Sequence, residues 1–260
     1  MTGSEASPTF RLAYVPGVTP AKWVRIWNER LPDVPLVLVP VAAADASDVL
    51  RRGEADAGLV RLPVDRTFLS AIPLYTEATV VVAPKDHVVT AAEEVSLDEL
   101  ADEVVLHPLD DVLDWQQPPG EPAFERPATT EDAVEHVASG IGILYVPQSL
   151  ARLHHRKDLT YRTVVDAPQS DVALSWPEDA TTELVEDFIG IVRGRTVNST
   201  RGRTPTPPQP KTKAKRAETP ARRKPAAGKS TGGRTGNTGK NARGSSGGAK
   251  GTKRGKPRGR

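Results

Sequence analysis

Residues 131–150 read EDAVEHVASGIGILYVPQSL. Ala133, Val134, Val137 and Ala138 recur at helical spacing, and Thr129 or Thr130 stands where a hydroxyl can cap the first turn. Gly140 can take the positive φ that ends a helix. Ile141–Val146 is then a short, almost wholly apolar strand, Pro147 closes it, and Gln148–His154 starts a new helix. A strand apolar on both faces is covered on both faces, as strands of parallel sheets are. Ligands of such sheets bind at the strands' carboxyl ends, which puts Tyr145, Val146 and Pro147 where a small molecule would sit. In the plainer alternative, Gly140 and Gly142 only end a helix and fit a strand behind it.

The same alternation runs outward from this stretch. Phe10–Val15 is a strand, Pro16–Thr19 a loop, and Pro20–Leu31 a helix with Thr19 as N-cap. Trp23, Val24, Ile26, Trp27 and Leu31 make that helix apolar on more than one face. Val34–Val41 is a strand whose Pro35 and Pro40 point to a sheet edge or to the strand's ends. A short helix, Asp45–Arg52, leads to strand Ala55–Val60, with Arg61-Leu62-Pro63 as the loop after it. Strands at Leu69–Tyr75 and Ala78–Ala83 follow, the latter apolar enough to be central, and His107–Glu125 reads as loop. Tyr161–Val165 and Asp171–Trp176 are the last strands, and Thr182 caps a final helix, Glu183–Arg193. Repeated strand–helix alternation with short loops means α/β with mainly parallel sheet. The expected division is lobe 1 over 10–84 and 162–195, lobe 2 over 85–161, and a hinge at Pro84-Lys85 and Arg162-Thr163. Residues 1–9 are expected to be a disordered N-terminus.

Charge divides the chain sharply. Residues 198–260 carry 19 of the 35 Lys and Arg and, in Glu218, one of the 33 acids, so the remainder has twice as many acids as bases. That segment has no Phe, Trp, Tyr, Leu, Ile, Val or Met. It cannot bury a core, and 196–260 is expected to be a disordered basic tail. Such a tail binds polyanions through counterion release. Arg201–Arg203 and Arg258–Arg260 each spell Arg-Gly-Arg, which resembles the minor-groove core of an AT-hook. The 260 residues hold no cysteine. This excludes disulfides, thiolate-ligated zinc and a thiol nucleophile, and fits a reducing cytoplasm. No signal peptide and no membrane span is expected.

In order and spacing, FRLAYVPGVTP, LRRGEADAGLVRLPVD, IPLYTEATVVVAPKDH and HVASGIGILYVPQSLARLH resemble the effector-binding (substrate-binding) domain of LysR-type transcriptional regulators, across nearly all of 10–193. The resemblance implies the type 2 periplasmic-binding-protein fold, two Rossmann-like lobes around an interlobe cleft. It implies a small, often anionic effector in that cleft and pairing into a homodimer or with a related regulator. The helix carrying Trp23 and Trp27 and the helix opening at Glu131 are the candidate pairing surfaces. Those regulators begin with a helix-turn-helix, whereas nine residues precede the first strand here, so that element is expected to be absent.

The expected ligand site combines Thr19, Arg61, His107 and Pro147, with Val18, Leu62 and Val146 as walls. Thr19 offers a hydroxyl beside the positive end of the Pro20 helix. Arg61 offers a charge-assisted fork to a carboxylate. His107 and Pro147 follow strands of the second lobe. Catalysis finds no support: Asp110-Asp111 and Glu93-Glu94 are adjacent in loops, His154-His155 lacks zinc-ligand spacing, and no G-x-S-x-G occurs. No metal or cofactor is expected. The expectation is a cytoplasmic, effector-sensing, non-enzymatic protein of transcriptional regulation that touches DNA non-specifically through Arg201, Arg203, Arg258, Arg260 and their neighbours. The second reading is a nucleoid-associated or scaffold protein whose globular part mediates assembly.

Overall fold

A computed structural model describes residues 8–115 and 117–195. The expectations for residues 1–7 and for the basic tail, with Arg201, Arg203, Arg258 and Arg260, lie outside the described residues.

The chain order is β1 (Phe10–Tyr14), α1 (Ala21–Arg30), β2 (Leu36–Pro40), α2 (Ala46–Arg51), β3 (Ala57–Arg61), β4 (Leu69–Glu77) and β5 (Thr79–Pro84). Next come β6 (Glu94–Val95), β7 (Val104–Leu106), β8 (Glu121–Pro122), α3 (Thr130–Ala138), β9 (Ile143–Pro147) and α4 (Gln148–Leu153). β10 (Leu159–Val164), β11 (Ser170–Pro177) and α5 (Glu183–Val192) close the domain. Two sheets form, ordered β2-β1-β3-β11-β4 and β6-β10-β5-β9-β7-β8. β2 is an edge strand, and β5 lies inside the second sheet. Each sheet is mixed: β11 runs antiparallel to β3 and β4, and β5 runs antiparallel to β9 and β10. These antiparallel neighbours are the strands on which the chain passes between lobes.

That passage corrects the expected division. β5 pairs with β9 and β10, so the first crossing is Ala78, between β4 and β5, and not Pro84-Lys85. β10 belongs wholly to the second sheet, so the return lies between Val164 and Ser170, and not at Arg162-Thr163. The apolar run Ala78–Ala83 has no feature marking which sheet it enters; only its partners decide that.

Alternation across the second sheet builds two cores. Val80, Val82, Leu144 and Val146 face one side with Ala133, Val134 and Val137 of α3. Val81, Ala83, Ile143 and Tyr145 face the other. All five residues of β9 are buried, the two-sided cover its composition requires. The first lobe packs around Phe10, whose ring stacks on Trp27 at 4.6 Å and tilts against Phe188 at 5.2 Å. The Trp27 indole N–H donates to the Val34 carbonyl at 2.9 Å, so its polar atom is satisfied in the core.

Candidate functional site

Two loops of the first lobe, after β1 and after β2, and the carboxyl ends of β3 and β4 face α4 and the start of α3 in the second. The larger cavity between them, about 770 Å³, is bordered by Tyr14, Val18, Thr19 and Tyr75 from the first lobe and Ser149 and Arg152 from α4. A second, about 490 Å³, lies between Ala42–Ala44 and Arg61 on one side and Leu109–Val112, Thr130 and Leu150 on the other. Pro16, Ala42 and Leu153 border both, so the two are halves of one interlobe cleft.

Thr19 is exposed in the larger half, and Val18 lines it while packing into the core. The expected capping role of Thr19 is corrected: Pro20 holds the N-cap position of α1, with no side-chain cap. No acid occupies the first turn of α1, so its free N–H groups and positive dipole end meet no local carboxylate there.

Arg61 is the last residue of β3 rather than part of the loop after it, and its side chain is 5% exposed. It borders the smaller half, but its charge is already matched. Nη1 donates to Glu77 Oε2 at 2.9 Å and to Ser170 Oγ at 2.7 Å, and Nη2 to the Pro16 carbonyl at 3.3 Å and Ser149 Oγ at 3.1 Å. The Ser149 hydroxyl donates to Glu77 Oε2 at 2.8 Å. In this conformation Arg61 is therefore not an open fork for a ligand carboxylate. Tyr75, also beside Glu77, has its phenol pushed up by burial first and by the Glu77 charge second.

The other four expected residues border neither half. Leu62 turns toward β11, its N–H donating to the Asp171 carbonyl at 2.9 Å. Val146 and Pro147 lie within β9, in register with Val80 and Thr79, and are buried. The cleft is reached one turn later, at Ser149, Arg152 and Leu153. His107 turns to Asp111, with Nε2 at 3.2 Å from Oδ2. Burial and then the Arg126 charge push the imidazole below its usual range, against the pull of Asp111; burial lifts the Asp111 carboxyl. The cleft is bordered by the residues just after His107 in that loop, Leu109–Val112.

Asp110 accepts from the Thr130 hydroxyl at 2.9 Å, and Asp111 from the Leu113 N–H at 3.0 Å. These adjacent acids are each tied to a different partner and do not form a facing acid–base pair. Among the described residues no group of three or more His, Cys, Asp or Glu is arranged to hold a metal. No helix of the described residues is long and apolar enough to cross a membrane. Glu77, Ser149, Arg152 and the Ala42–Ala44 loop escaped the sequence reading. The loop could have been found, since it follows an expected strand. The convergence of Glu77 and Ser149 has no local signal.

Residues 3–196 match the family described as the LysR substrate binding domain. The HTH-type transcriptional regulator AlsR of Bacillus subtilis (strain 168) is 25% identical over 180 residues, covering 65% of this chain and 59% of that protein. The Hca operon transcriptional activator HcaR of Escherichia coli (strain K12) is 24% identical over 204 residues, covering 74% of this chain and 67% of that protein. The chain thus spans about three fifths to two thirds of the length of these regulators. Among solved structures, the BenM effector-binding domain with its effector benzoate superposes with a TM-score of 0.62 at 18% identity, over 78% of this chain and 97% of that one. At that identity the likeness establishes the fold: two lobes of the type 2 periplasmic-binding-protein kind.

Proposed function

The chain belongs to the LysR substrate-binding domain family, and on that premise we propose that it senses a small anionic effector in the interlobe cleft and acts in transcriptional regulation. The domain family is a ligand-sensing one, and the matched relatives are transcriptional regulators rather than enzymes. The observation that carries the proposal is the continuous cleft whose two halves are each walled by both lobes. A ligand there touches both lobes at once and favours whichever lobe arrangement it fits better. The anionic preference is proposed for the larger half, which Arg152 and Thr19 line, Thr19 standing just before α1, whose first turn carries no acid.

Pairing with a second copy or a related regulator is proposed through α1 and α3. On the first lobe, Val37 and Leu38 of β2 are 45% and 39% exposed, and Leu38 shares a groove with Val24 of α1. The cytoplasm, with contact to the nucleoid, is the proposed location, and the basic tail the proposed non-specific contact to DNA.

Thermal-shift titration of the full chain with a panel of small organic acids tests the sensing reading. A binding acid raises the melting temperature in a concentration-dependent way. Arg152→Ala should weaken that acid by about 10- to 100-fold, the worth of a charged hydrogen bond. A panel that shifts nothing, or an acid that binds Arg152→Ala unchanged, counts against the reading. The scaffold alternative is favoured by the 19 basic residues in 198–260. It would win if deleting 198–260 abolished function in the cell while Arg152→Ala did not.

A further inference from the structure

Ser149 is a lobe 2 residue embedded in lobe 1 chemistry. It stands in the first turn of α4, yet its hydroxyl accepts from Arg61 and donates to Glu77, at the ends of β3 and β4. Its seat is cut into the backbone of the loop after β1. A Cβ added at Gly17 would lie 2.4 Å from Ser149 Oγ and 3.0 Å from Ser149 Cβ. Gly17 also has φ +83°, in the left-handed region. The missing side chain at 17 therefore leaves the space that the side chain at 149 fills.

The ion pair beneath is well shielded, with Arg61 5% and Glu77 10% exposed. Its hydrogen bonds face little competition from water. Its position is mechanical as well. Glu77 directly precedes the crossing residue Ala78, and Ser170, bonded to Arg61, begins β11 just after the return crossing. The cluster thus sits beside both points where the chain crosses between the lobes.

We propose that Gly17, Ser149 and the Arg61–Glu77 pair form a latch that holds the two lobes together in the ligand-free protein. Glu77 and Ser149 border the larger half of the cleft and Arg61 the smaller, so an occupant of either half touches the latch. That link to a ligand rests on the sensing function proposed above; the latch itself does not, and its test uses no ligand.

The chain has no cysteine, so Asp187→Cys on α5 and Lys157→Cys after α4 introduce two unique thiols for spin labels on exposed positions of opposite lobes. Pulsed dipolar spectroscopy of the full chain, diluted with unlabelled chain, then reads the lobe separation. The parent should give one narrow distance. Ser149→Ala and Glu77→Gln should each broaden it or add a second distance, with the circular dichroism spectrum unchanged. A broad distribution in the parent, or a parent-like one in both variants, overturns the latch. A double-mutant cycle gives an independent reading. Gly17→Ala should shift the unfolding equilibrium about tenfold more with Ser149 present than with Ser149→Gly. The backbone strain at position 17 is common to both backgrounds and cancels. Additive effects in that cycle would show that the notch does not seat Ser149. A working latch combined with a silent acid panel would refute only the sensing function.

Discussion

A buried ion pair is held by the cost of undoing half of it. Arg61 and Glu77 are each nearly sealed from water, and truncating one leaves the other charged and unmatched. Arg61→Ala should destabilise the fold by about 3–5 kcal/mol. The double replacement Arg61→Met with Glu77→Leu should cost less than either single truncation, because no charge is stranded. Urea denaturation of the variants measures both, and a double variant as unstable as the sum of its parts would contradict the account. Tyr145 is the opposite case. It is 2% exposed, its ring lies 5.5 Å from Trp115, and its hydroxyl has no hydrogen-bond partner among the described residues. Burial, with Glu103 and Asp166 nearby, raises its pKa above the ordinary phenol range. With the folded value raised, the stability linked to Tyr145 is fully present below the unfolded pKa, about 10, and is lost as pH climbs through the folded value. Tyr145→Phe should keep or raise stability at neutral pH, by about 1 kcal/mol, and should flatten the decline above about pH 10. Denaturation midpoints against pH decide it; an unchanged alkaline decline would assign the loss to other groups.

At the scale of elements, the α3–β9–α4 unit shows which local signals survive folding. Thr129 caps α3 by accepting from the Asp132 N–H at 3.1 Å, and Gly140 ends the helix with φ +77°. Both follow from residue type. Gly142 has a different cause. A Cβ there would lie 2.3 Å from the carbonyl oxygen of Val104, because β9 runs parallel to β7 at that point. Backbone cannot swing aside as a side chain can. Gly142→Ala should therefore destabilise by about 1–3 kcal/mol, the range for overpacking, while Gly140→Ala meets only backbone strain, with no atom in the way. Equal losses at the two positions would show that β7 yields. α1 carries the complementary lesson: Thr19 precedes a proline at the start of a helix and reads as its cap, yet Pro20 takes the cap position and the threonine hydroxyl is left for the cleft.

The whole molecule joins an acidic two-lobed domain to a basic segment of opposite composition. Duplex DNA should bind the full chain with an affinity that falls steeply with salt and depends little on sequence, since each neutralised phosphate releases counterions. Deleting 198–260 should abolish that affinity and leave the melting temperature of the domain unchanged. Gel shifts over a salt series test this, and binding that persists without the segment would move the contact to the domain. By itself the sequence determined the α/β alternation, the family, the doubly buried β9 and the helix ends at Gly140 and Thr182. Each of these rests on spacing or residue type within a few positions. Only the tertiary structure decided where the lobes cross, that Arg61 is engaged by Glu77, and that Ser149 and Arg152 rather than Val146 and Pro147 reach the cleft. Glu77 and Ser149 are 72 positions apart, and Arg61 and Ser149 are 88 apart. No local pattern encodes such meetings. They are set by which strand pairs with which, because a strand's neighbours choose the groups that its carboxyl end will face.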